Sequence, residues 1–422
     1  MCRLKPGLQR RLGLLQNTRS EKSMSEFTES VSRQIHASGY RLVLCLAGGG
    51  SRAIAELLEI PGASRSILEG IVPYSAAALD AFLGGPPESY CSEWTARLMA
   101  MGALERGRGY LSSEFVGGDE STSVESPTTA GPSPEAKKGC SDRLAGIGCT
   151  ASLASDRPKR GAHRAFAAVQ TAAYTASVSL ELIKDARSRR EEELLVAALV
   201  LDAAAEACGL ADRVPLILLP GESPIRQRMD APPAWRELLW GDGRAVCQSG
   251  SAALPGVLFP GSFHPRHEAH RGMAQIAGEL LGQPVAYELS VANVDKPPLD
   301  YREIELRAAG FAADETLWLT RAPTFIEKVE QFPRATFVVG LDTIRRIAET
   351  KYYGGDETRR DRAVAQLAAS GSKFLVFGRM EQGQFQTLDD LTLPTALKAL
   401  CRGVPAEQFR CDVSSTELRR ES

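Results

Sequence analysis

Three of the five histidines of the chain, His264, His267 and His270, fall within one short segment. The segment follows an apolar run of strand type at residues 257–259, and a helical pattern begins at His267. The N-terminus of a helix attracts anions, because its N–H groups are free and the helix dipole points toward the ligand. Side chains three residues apart share a helix face, so His267 and His270 can both donate hydrogen bonds to phosphate oxygens. Gly261 allows the backbone to approach those oxygens closely. This pattern predicts a phosphate-binding site.

A second segment with chemistry of the same kind lies near the C-terminus, at Ser414, Ser415, Thr416 and Arg419. Hydroxyl and N–H groups at the start of a helix can bind phosphate, and an arginine can clamp it through two parallel N–H groups. Taken alone, the same pattern also fits an ordinary helix cap followed by a surface arginine.

Alternating elements must position these residues. Strand candidates 257–259, 286–291, 335–340 and 374–377 alternate with helical stretches, which predicts a doubly wound α/β domain with a parallel, Rossmann-like sheet. A separate α/β domain precedes it. Its predicted elements are a strand at 42–46, a helix at 51–58, a strand at 164–171 and long helices over 177–209.

The predicted organisation has four parts. Residues 1–36 form a flexible tail or an organelle transit peptide, because the first 23 residues carry six basic residues and one acid. Residues 37–212 form the first domain, with a disordered insertion at 117–139 that is rich in Ser, Thr, Glu, Pro and Gly. Residues 213–254 form a connector that carries a strand or two, and residues 255–422 form the second domain.

The composition of the chain argues against nucleic acid and membranes as partners and indicates the expected compartment. The net charge of −2 and the aromatic content of 6% argue against nucleic acid. No apolar run reaches the roughly 18 to 20 residues of a membrane helix. The nine cysteines are scattered, which indicates reduced thiols in an intracellular compartment. The cytoplasm is the favoured location, or an organelle if residues 1–23 are a transit peptide.

The segment 261–270 resembles the nucleotidylyltransferase signature G-x-F-D-P-x-H-x-G-H, with His264 at the Asp position and Ala269 at the second Gly position. The segment 413–419 is similar to the I-S-S-T-x-I-R motif of the same superfamily. Within the superfamily, the residues that end later strands resemble the adenylyltransferases of nicotinamide or nicotinate mononucleotide.

The resemblance implies adenylyl transfer from ATP to a pyridine mononucleotide. The implied catalytic residues are His267, His270 and Arg419. The implied ATP-binding residues are Gly261, Ser262, Phe263, His264, Ser414, Ser415, Thr416 and Arg379. The implied acceptor-binding residues are Lys296, Arg307, Thr324 and Asp342. No cluster of Asp and Glu suggests a metal cage, so Mg²⁺ is expected to arrive with ATP.

The N-terminal domain resembles the CinA C-terminal family, which deamidates nicotinamide mononucleotide. The residues that carry the likeness include a glycine run, a Pro-Gly-Ala-Ser segment and Tyr74 with Ser75. The nucleophilic serine of the family falls on Ala47, its Cys-Thr pair on Gly48 and Gly49, and its lysine on Leu79. Alanine has no nucleophile and leucine is no base, so the resemblance implies a degenerate amidase site. The expected remnants of that site are Ala47, Gly48, Gly49, Ser51 and Tyr74.

Three hypotheses follow. The chain is an adenylyltransferase whose amidase-like domain binds nucleotide or mediates self-association as a homo-oligomer. Alternatively, it is a bifunctional deamidase and adenylyltransferase, or a non-catalytic nucleotide-binding protein. The sequence does not distinguish nicotinamide from nicotinate as the acceptor base.

Overall fold

The computed structural model of the protein describes residues 26–114, 143–156, 159–381 and 383–409. The chain divides into two compact units. The first comprises the described residues up to Ala231 together with Asp295–Tyr301, and the second comprises Pro232–Val294 and the described residues from Arg302 onward. Both units are α/β, as the sequence predicts.

The first unit has a six-stranded mixed sheet in the order β2-β1-β3-β4-β5-β6. Its strands are β1 (Arg41–Ala47), β2 (Ile67–Ile71), β3 (Leu144–Ser152), β4 (His163–Thr171), β5 (Tyr174–Leu182) and β6 (Ile225–Asp230). Strands β2, β1 and β3 are parallel, and β4, β5 and β6 each run antiparallel to the strand before. Its helices are α1 (26–37), α2 (Arg52–Glu59), α3 (Ala76–Leu83), α4 (Glu93–Glu114) and α5 (Arg189–Ala207).

Helix α4 packs unusually close to the sheet, and two glycines of β3 make this contact possible. A Cβ atom at Gly146 would lie 2.0 Å from the Ala100 carbonyl oxygen, and one at Gly148 would lie 2.1 Å from that of Ala96. Only glycine therefore lets the backbones of β3 and α4 approach this far.

Two expectations for this unit need correction. Residues 26–36, assigned to a flexible tail, belong to α1, which buries Val31 and Ile35 in the core. Residues 177–182, expected to be helical, belong to β5, and helix α5 starts only at Arg189. The alternation of Thr, Ser and Glu with Ala, Val and Leu in 175–182 is a strand pattern. Ser188 and Glu191 form the capping box that begins α5.

The segment Asp295–Tyr301 belongs to the first unit although elements of the second unit flank it in sequence. Asp300, which is 1% exposed, accepts two hydrogen bonds from the Arg97 guanidinium at 2.6 and 2.7 Å. The Tyr301 hydroxyl donates to the Ala172 carbonyl oxygen at 2.7 Å. A buried ion pair thus anchors the segment to α4.

The second unit has a seven-stranded sheet in the order β15-β12-β11-β8-β9-β10-β7. Its strands are β7 (Ala245–Ser249), β8 (Val257–Pro260), β9 (Val285–Ser290), β10 (Leu317–Thr320), β11 (Thr336–Gly340), β12 (Lys373–Phe377) and β15 (Cys401–Gly403). A small hairpin of β13 (Arg379–Glu381) and β14 (Gln384–Gln386) follows β12. Its helices are α6 (Pro233–Trp240), α7 (Glu268–Leu281), α8 (Tyr301–Ala308), α9 (Phe325–Gln331), α10 (Leu341–Ala348), α11 (Glu357–Ala369) and α12 (Thr395–Lys398).

All neighbouring strands of this sheet are parallel except β7, which pairs antiparallel with β10 at the edge. Without β7, the order is that of a doubly wound dinucleotide-binding sheet: third, second, first, fourth, fifth, sixth. The chain changes direction between β8 and β11, and ligands of such sheets bind at the carboxyl ends of the strands beside that switch point.

The predicted connector, 213–254, for which the sequence predicts a strand or two, contributes elements to both units. Strand β6 completes the first sheet, whereas α6 and β7 belong to the second unit. In the part of the chain that the structure describes, no helix is both long and apolar enough to cross a membrane.

Candidate functional site

Several of the predicted site residues lie at the carboxyl ends of the strands of the second sheet. Gly261 to His264 follow β8, Thr324 follows β10, Asp342 follows β11 and Arg379 follows β12. Because these strands are parallel, their carboxyl ends meet at one edge of the sheet. The topology therefore brings together residues that are more than a hundred positions apart in sequence.

The loop after β8 is fixed by aromatic packing. Phe263 is 2% exposed and has a φ of +46°, a left-handed value that is uncommon for a residue with a side chain. Its ring packs edge-on against Phe259, Tyr287 and Phe311. A Cβ at Gly261 would lie 2.7 Å from this ring, so Gly261 is required by the packing of the loop itself.

Arg266 anchors the same loop. Its guanidinium carbon lies 4.5 Å from the centre of the Tyr287 ring and 4.4 Å from that of Phe311. It also forms a two-pronged ion pair with Glu315, and its side chain is 3% exposed. A planar cation packed against two aromatic rings holds the loop rigidly against β9 and the start of β10.

His267 and His270 lie at the start of α7 as the sequence predicts. Their ring centres are 3.9 Å apart, and His267 occupies the N-cap. The backbone N–H of His267 donates to Nδ1 of His270 at 3.2 Å, so Nδ1 is an acceptor and the proton of the neutral ring lies on Nε2. The structure thus fixes His270 as an Nε2–H donor.

Both imidazoles are held in the neutral form near pH 7. Burial, and then the neighbouring His267 and Arg266, lower the pKa of His270 to about 4. Burial also lowers the pKa of His267, and Glu268 opposes that shift. Two neutral N–H donors at a helix N-terminus can bind a polyphosphate without a proton being taken up from solution.

A buried carboxylate beside the loop is absent from the sequence-based predictions. Glu303 on α8 lies 3.0 Å from Nδ1 of His264 and 2.8 Å from Nε of Arg307. Burial alone would raise the pKa of Glu303, but His264 and Arg307 together lower it to about 2. The sequence signal was the spacing of Glu303 and Arg307, one helical turn apart, which allows an ion pair on one face.

Asp342 and Arg379, which the sequence assigned to different ligands, pair with each other. The Arg379 guanidinium donates to a carboxylate oxygen of Asp342, and both side chains remain more than 40% exposed. Glu381 lies 3.8 Å from Arg379 and also pairs with Arg345. The ends of β11 and β12 therefore present an exposed, mixed-charge cluster.

The remaining predicted residues either do not belong to this mixed-charge cluster or lie outside the residues that the structure describes. The Thr324 hydroxyl and Glu327 form the capping box of α9, and this accounts for the Thr324 side chain. Arg307 donates to the Ser262 carbonyl oxygen at 3.1 Å, which ties α8 to the loop. Lys296 belongs to the segment that packs in the first unit rather than to the second domain. The motif residues Ser414, Ser415, Thr416 and Arg419 lie outside the described residues, as does the insertion 117–139.

The residues expected to remain from an amidase site meet at the carboxyl edge of β1 and β2. Gly48 has a φ of +77°, and a Cβ there would lie 2.0 Å from the Ala151 carbonyl oxygen. Tyr74 follows β2 and is 74% exposed. Ala47 ends β1 where the resemblance expects a nucleophile.

Ser51, the hydroxyl that directly follows these glycines, is used by the fold. Its Oγ donates to a carboxylate oxygen of Glu193 at 3.1 Å, and the Arg52 amide donates to the same oxygen at 3.3 Å. Arg189 pairs with Glu193 at 3.5 Å and donates to the Gly48 carbonyl oxygen at 3.0 Å. The carboxylate therefore occupies the anion-binding position at the start of α2, directly after the glycine run.

Replacing Gly340 by alanine tests whether a ligand approaches the end of β11. Gly340 has a φ of −86°, and no atom of the described chain lies within 4 Å of the position a Cβ would take. The fold does not require glycine here, so we expect Gly340→Ala to unfold at the temperature of the wild type and to bind nucleotide more weakly. Calorimetric titration with ATP checks this, with Gly161→Ala in the first unit as the control, since a Cβ there also meets no described atom. Unchanged affinity would place the ligand away from β11.

Among the residues that the structure describes, no group of three or more His, Cys, Asp or Glu side chains could hold a metal ion.

No family model matches the chain, and no curated protein matches it.

Several solved structures that resemble part of the chain have titles that name competence or damage-inducible proteins. A protein of Agrobacterium tumefaciens, described as competence/damage inducible protein CihA, is 17% identical with a TM-score of 0.30 and covers 43% of this chain and 94% of its own. A CinA superfamily protein of Escherichia coli is 16% identical with a TM-score of 0.29 and covers 44% of this chain and 87% of its own. Competence damage-inducible protein A of Klebsiella pneumoniae is 18% identical with a TM-score of 0.30. The match covers 43% of this chain and 95% of the Klebsiella chain.

Proposed function

We propose that the second unit transfers the adenylyl group of MgATP to the phosphate of nicotinamide or nicotinate mononucleotide. The observation that carries the proposal is the pair of neutral imidazoles, His267 and His270, at the N-terminus of α7. They follow β8, the first strand of a doubly wound sheet, at the switch point where such sheets bind nucleotides. The match of residues 261–270 to the nucleotidylyltransferase signature supports the same reaction.

In this reaction a phosphate oxygen of the acceptor attacks the α-phosphorus of ATP in line with the bond to the β-phosphate. The new bond joins the two nucleotides, and the old one breaks to release pyrophosphate with its electron pair. No proton transfer and no covalent enzyme intermediate are required. The protein's task is alignment and stabilisation of charge, which N–H donors and a helix dipole provide.

Each part of the loop has a role in this scheme. Nε2–H of His270 and the ring of His267 donate to oxygens of the triphosphate, and the α7 N-terminus adds its free amides. The stacked Arg266 keeps these donors in place before the substrate arrives. We assign Arg419 and the Ser414–Thr416 hydroxyls, from their motif, to the leaving phosphates.

We propose that the first unit does not hydrolyse amides. Ala47 offers no nucleophile, and the Ser51 hydroxyl is engaged by Glu193, which in turn caps α2 and pairs with Arg189. The unit is a scaffold, and self-association through it is part of the proposal.

Incubation of the full chain with ATP, Mg²⁺ and either mononucleotide tests the proposal. We expect the dinucleotide and pyrophosphate in equal amounts, and no ammonia when ATP is omitted. Absence of product with both acceptors would leave a non-catalytic nucleotide-binding protein. Release of ammonia without ATP would instead establish a bifunctional enzyme.

Removal of the metal gives a second expected result. Because we assign Mg²⁺ to the substrate, EDTA should abolish product formation and added Mg²⁺ should restore it fully. The thermal unfolding of the nucleotide-free protein should not change with EDTA. A fall in the unfolding temperature would show instead that the protein itself holds a metal.

A further inference from the structure

We propose that Glu303 is the positioning residue of the phosphate-binding loop, holding His264 and, through Arg307, the backbone of Ser262. This inference rests on the proposed function, because it assigns a task to the loop that binds ATP. Glu303 does not touch the nucleotide in this scheme. It acts through His264, which lies in the loop, and through Arg307, which contacts the loop backbone.

The first step is the burial of the carboxylate. Glu303 is 1% exposed and lies on α8, between Arg302 and the buried Ile304. A buried charge is tolerated only when it is paired and hydrogen-bonded. Here the partners are His264 at 3.0 Å and Arg307 at 2.8 Å, and both distances end on the same oxygen, Oε1.

The second step is that the two partners reach two different points of the loop. His264 is itself a loop residue, and Arg307 donates through a second nitrogen to the Ser262 carbonyl oxygen at 3.1 Å. One carboxylate on α8 therefore fixes the loop on both sides of Phe263. The left-handed φ of Phe263 shows that the backbone there needs such outside support.

The third step concerns the direction of the His264 ring. Since the ionised carboxylate only accepts, Nδ1 of His264 carries a proton and Nε2 is turned away from Glu303. The side chain of His264 is 37% exposed, so this second nitrogen can face the ligand. At the position where the nucleotidylyltransferase signature has an aspartate, this chain has the imidazole of His264, and the carboxylate of Glu303 on α8 pairs with that imidazole.

Glu303→Gln tests the inference, with Glu305→Gln on the exposed side of α8 as the matched control. Glu303→Gln replaces the charged acceptor of the Nδ1 proton of His264 by a neutral amide, whose oxygen accepts more weakly and whose NH2 group can donate to Nδ1 instead. We therefore expect the His264 tautomer to change to Nε2–H, as read from its ¹⁵N imidazole shifts. We expect kcat/KM for ATP to fall on the order of a hundredfold, because a displacement of about 1 Å has that effect on an aligned reaction. The control should leave both quantities unchanged.

Arg307→Lys provides a second variant. It keeps a cation beside Glu303 but loses the second N–H donor, which binds the Ser262 carbonyl oxygen. We expect an intermediate loss of kcat/KM with the His264 tautomer retained. A wild-type tautomer in Glu303→Gln, or an unchanged kcat/KM in that variant, would overturn the inference. A wild-type protein without any transferase activity would overturn the proposed function instead, and the ¹⁵N measurement would still decide the contact between Glu303 and His264.

Discussion

His270→Ala should lower kcat for dinucleotide formation by about two to three orders of magnitude, the usual loss when one donor to a developing negative charge is removed. The ring of His270 has one role in the structure and a second role in the proposed reaction. In the structure its Nδ1 accepts a hydrogen bond from the His267 amide at 3.2 Å. In the proposed reaction its Nε2–H donates to the phosphates of ATP. Two conservative variants separate these roles.

His270→Asn keeps an acceptor near the position of Nδ1 but has no donor near Nε2, so we expect it to fold well and to react as slowly as the alanine variant. His270→Gln places an amide N–H near Nε2 and should recover a large part of the rate. Gln275→Ala, on the exposed face of α7, should react at the wild-type rate. Equal rates in the Asn and Gln variants would show that His270 supports the loop and does not donate to substrate.

The pH dependence of the wild-type protein follows from the low pKa of the His270 ring. Because the folded pKa of His270 is about 4, below the ordinary 6.5, the ring is neutral across about pH 6 to 8, and kcat should show no step from it there. The folded state binds this proton less tightly than the unfolded state. Its contribution to stability is therefore complete above about pH 6.5 and is lost as the pH falls toward 4.

Lys328→Met should destabilise the second unit by about 3 to 5 kcal/mol, the usual effect of leaving a buried charge without its partner. Glu288 on β9 is 0% exposed, and Lys328 on α9 is 5% exposed. The ammonium group donates to both oxygens of Glu288 at 2.8 Å and to the Ala322 carbonyl oxygen at 2.7 Å. Among the described residues, removing Lys328 leaves the carboxylate with only the Thr320 hydroxyl as a side-chain donor.

The double variant Glu288→Met with Lys328→Met should recover most of that loss, since a buried pair replaced by apolar side chains is often close to neutral. Because the chain has two units, one unfolding curve would mix two transitions. Protection of the β9 and β10 amides from hydrogen exchange reports on the second unit alone. A double variant as unstable as the single one would mean that the pair is net stabilising.

The sequence predicted the fold class and the strand, loop and helix around Gly261–His270 because all of them depend on local patterns. The strand before Gly261 and the helix from Glu268 are continuous in sequence, and the histidines fall at their junction. The pairing of Asp342 with Arg379 and of Glu303 with His264 depends on which strands and helices become neighbours. That order, with β11 beside β8, is a property of the whole chain that no local pattern contains.

Short strands are hard to predict for a related reason. Strand β10 has only four residues and β15 only three, too few to show a period of two, and both are defined by their neighbours in the sheet. The prediction of helix for most of strand β5 was wrong because its leucines, Leu180 and Leu182, suit either structure. Residues 174–182 form a strand because β4 and β6 both pair with them in the sheet.

The anchoring of Asp300 by Arg97 means that no single cut divides this protein into two complete parts. A fragment starting at residue 255 would lack α6 and β7, and would leave the β10 edge open to pairing with other chains. It would also carry Asp300 without its guanidinium. A fragment ending at residue 254 would lose the same segment from its core. Biochemical work on either unit therefore requires the intact polypeptide.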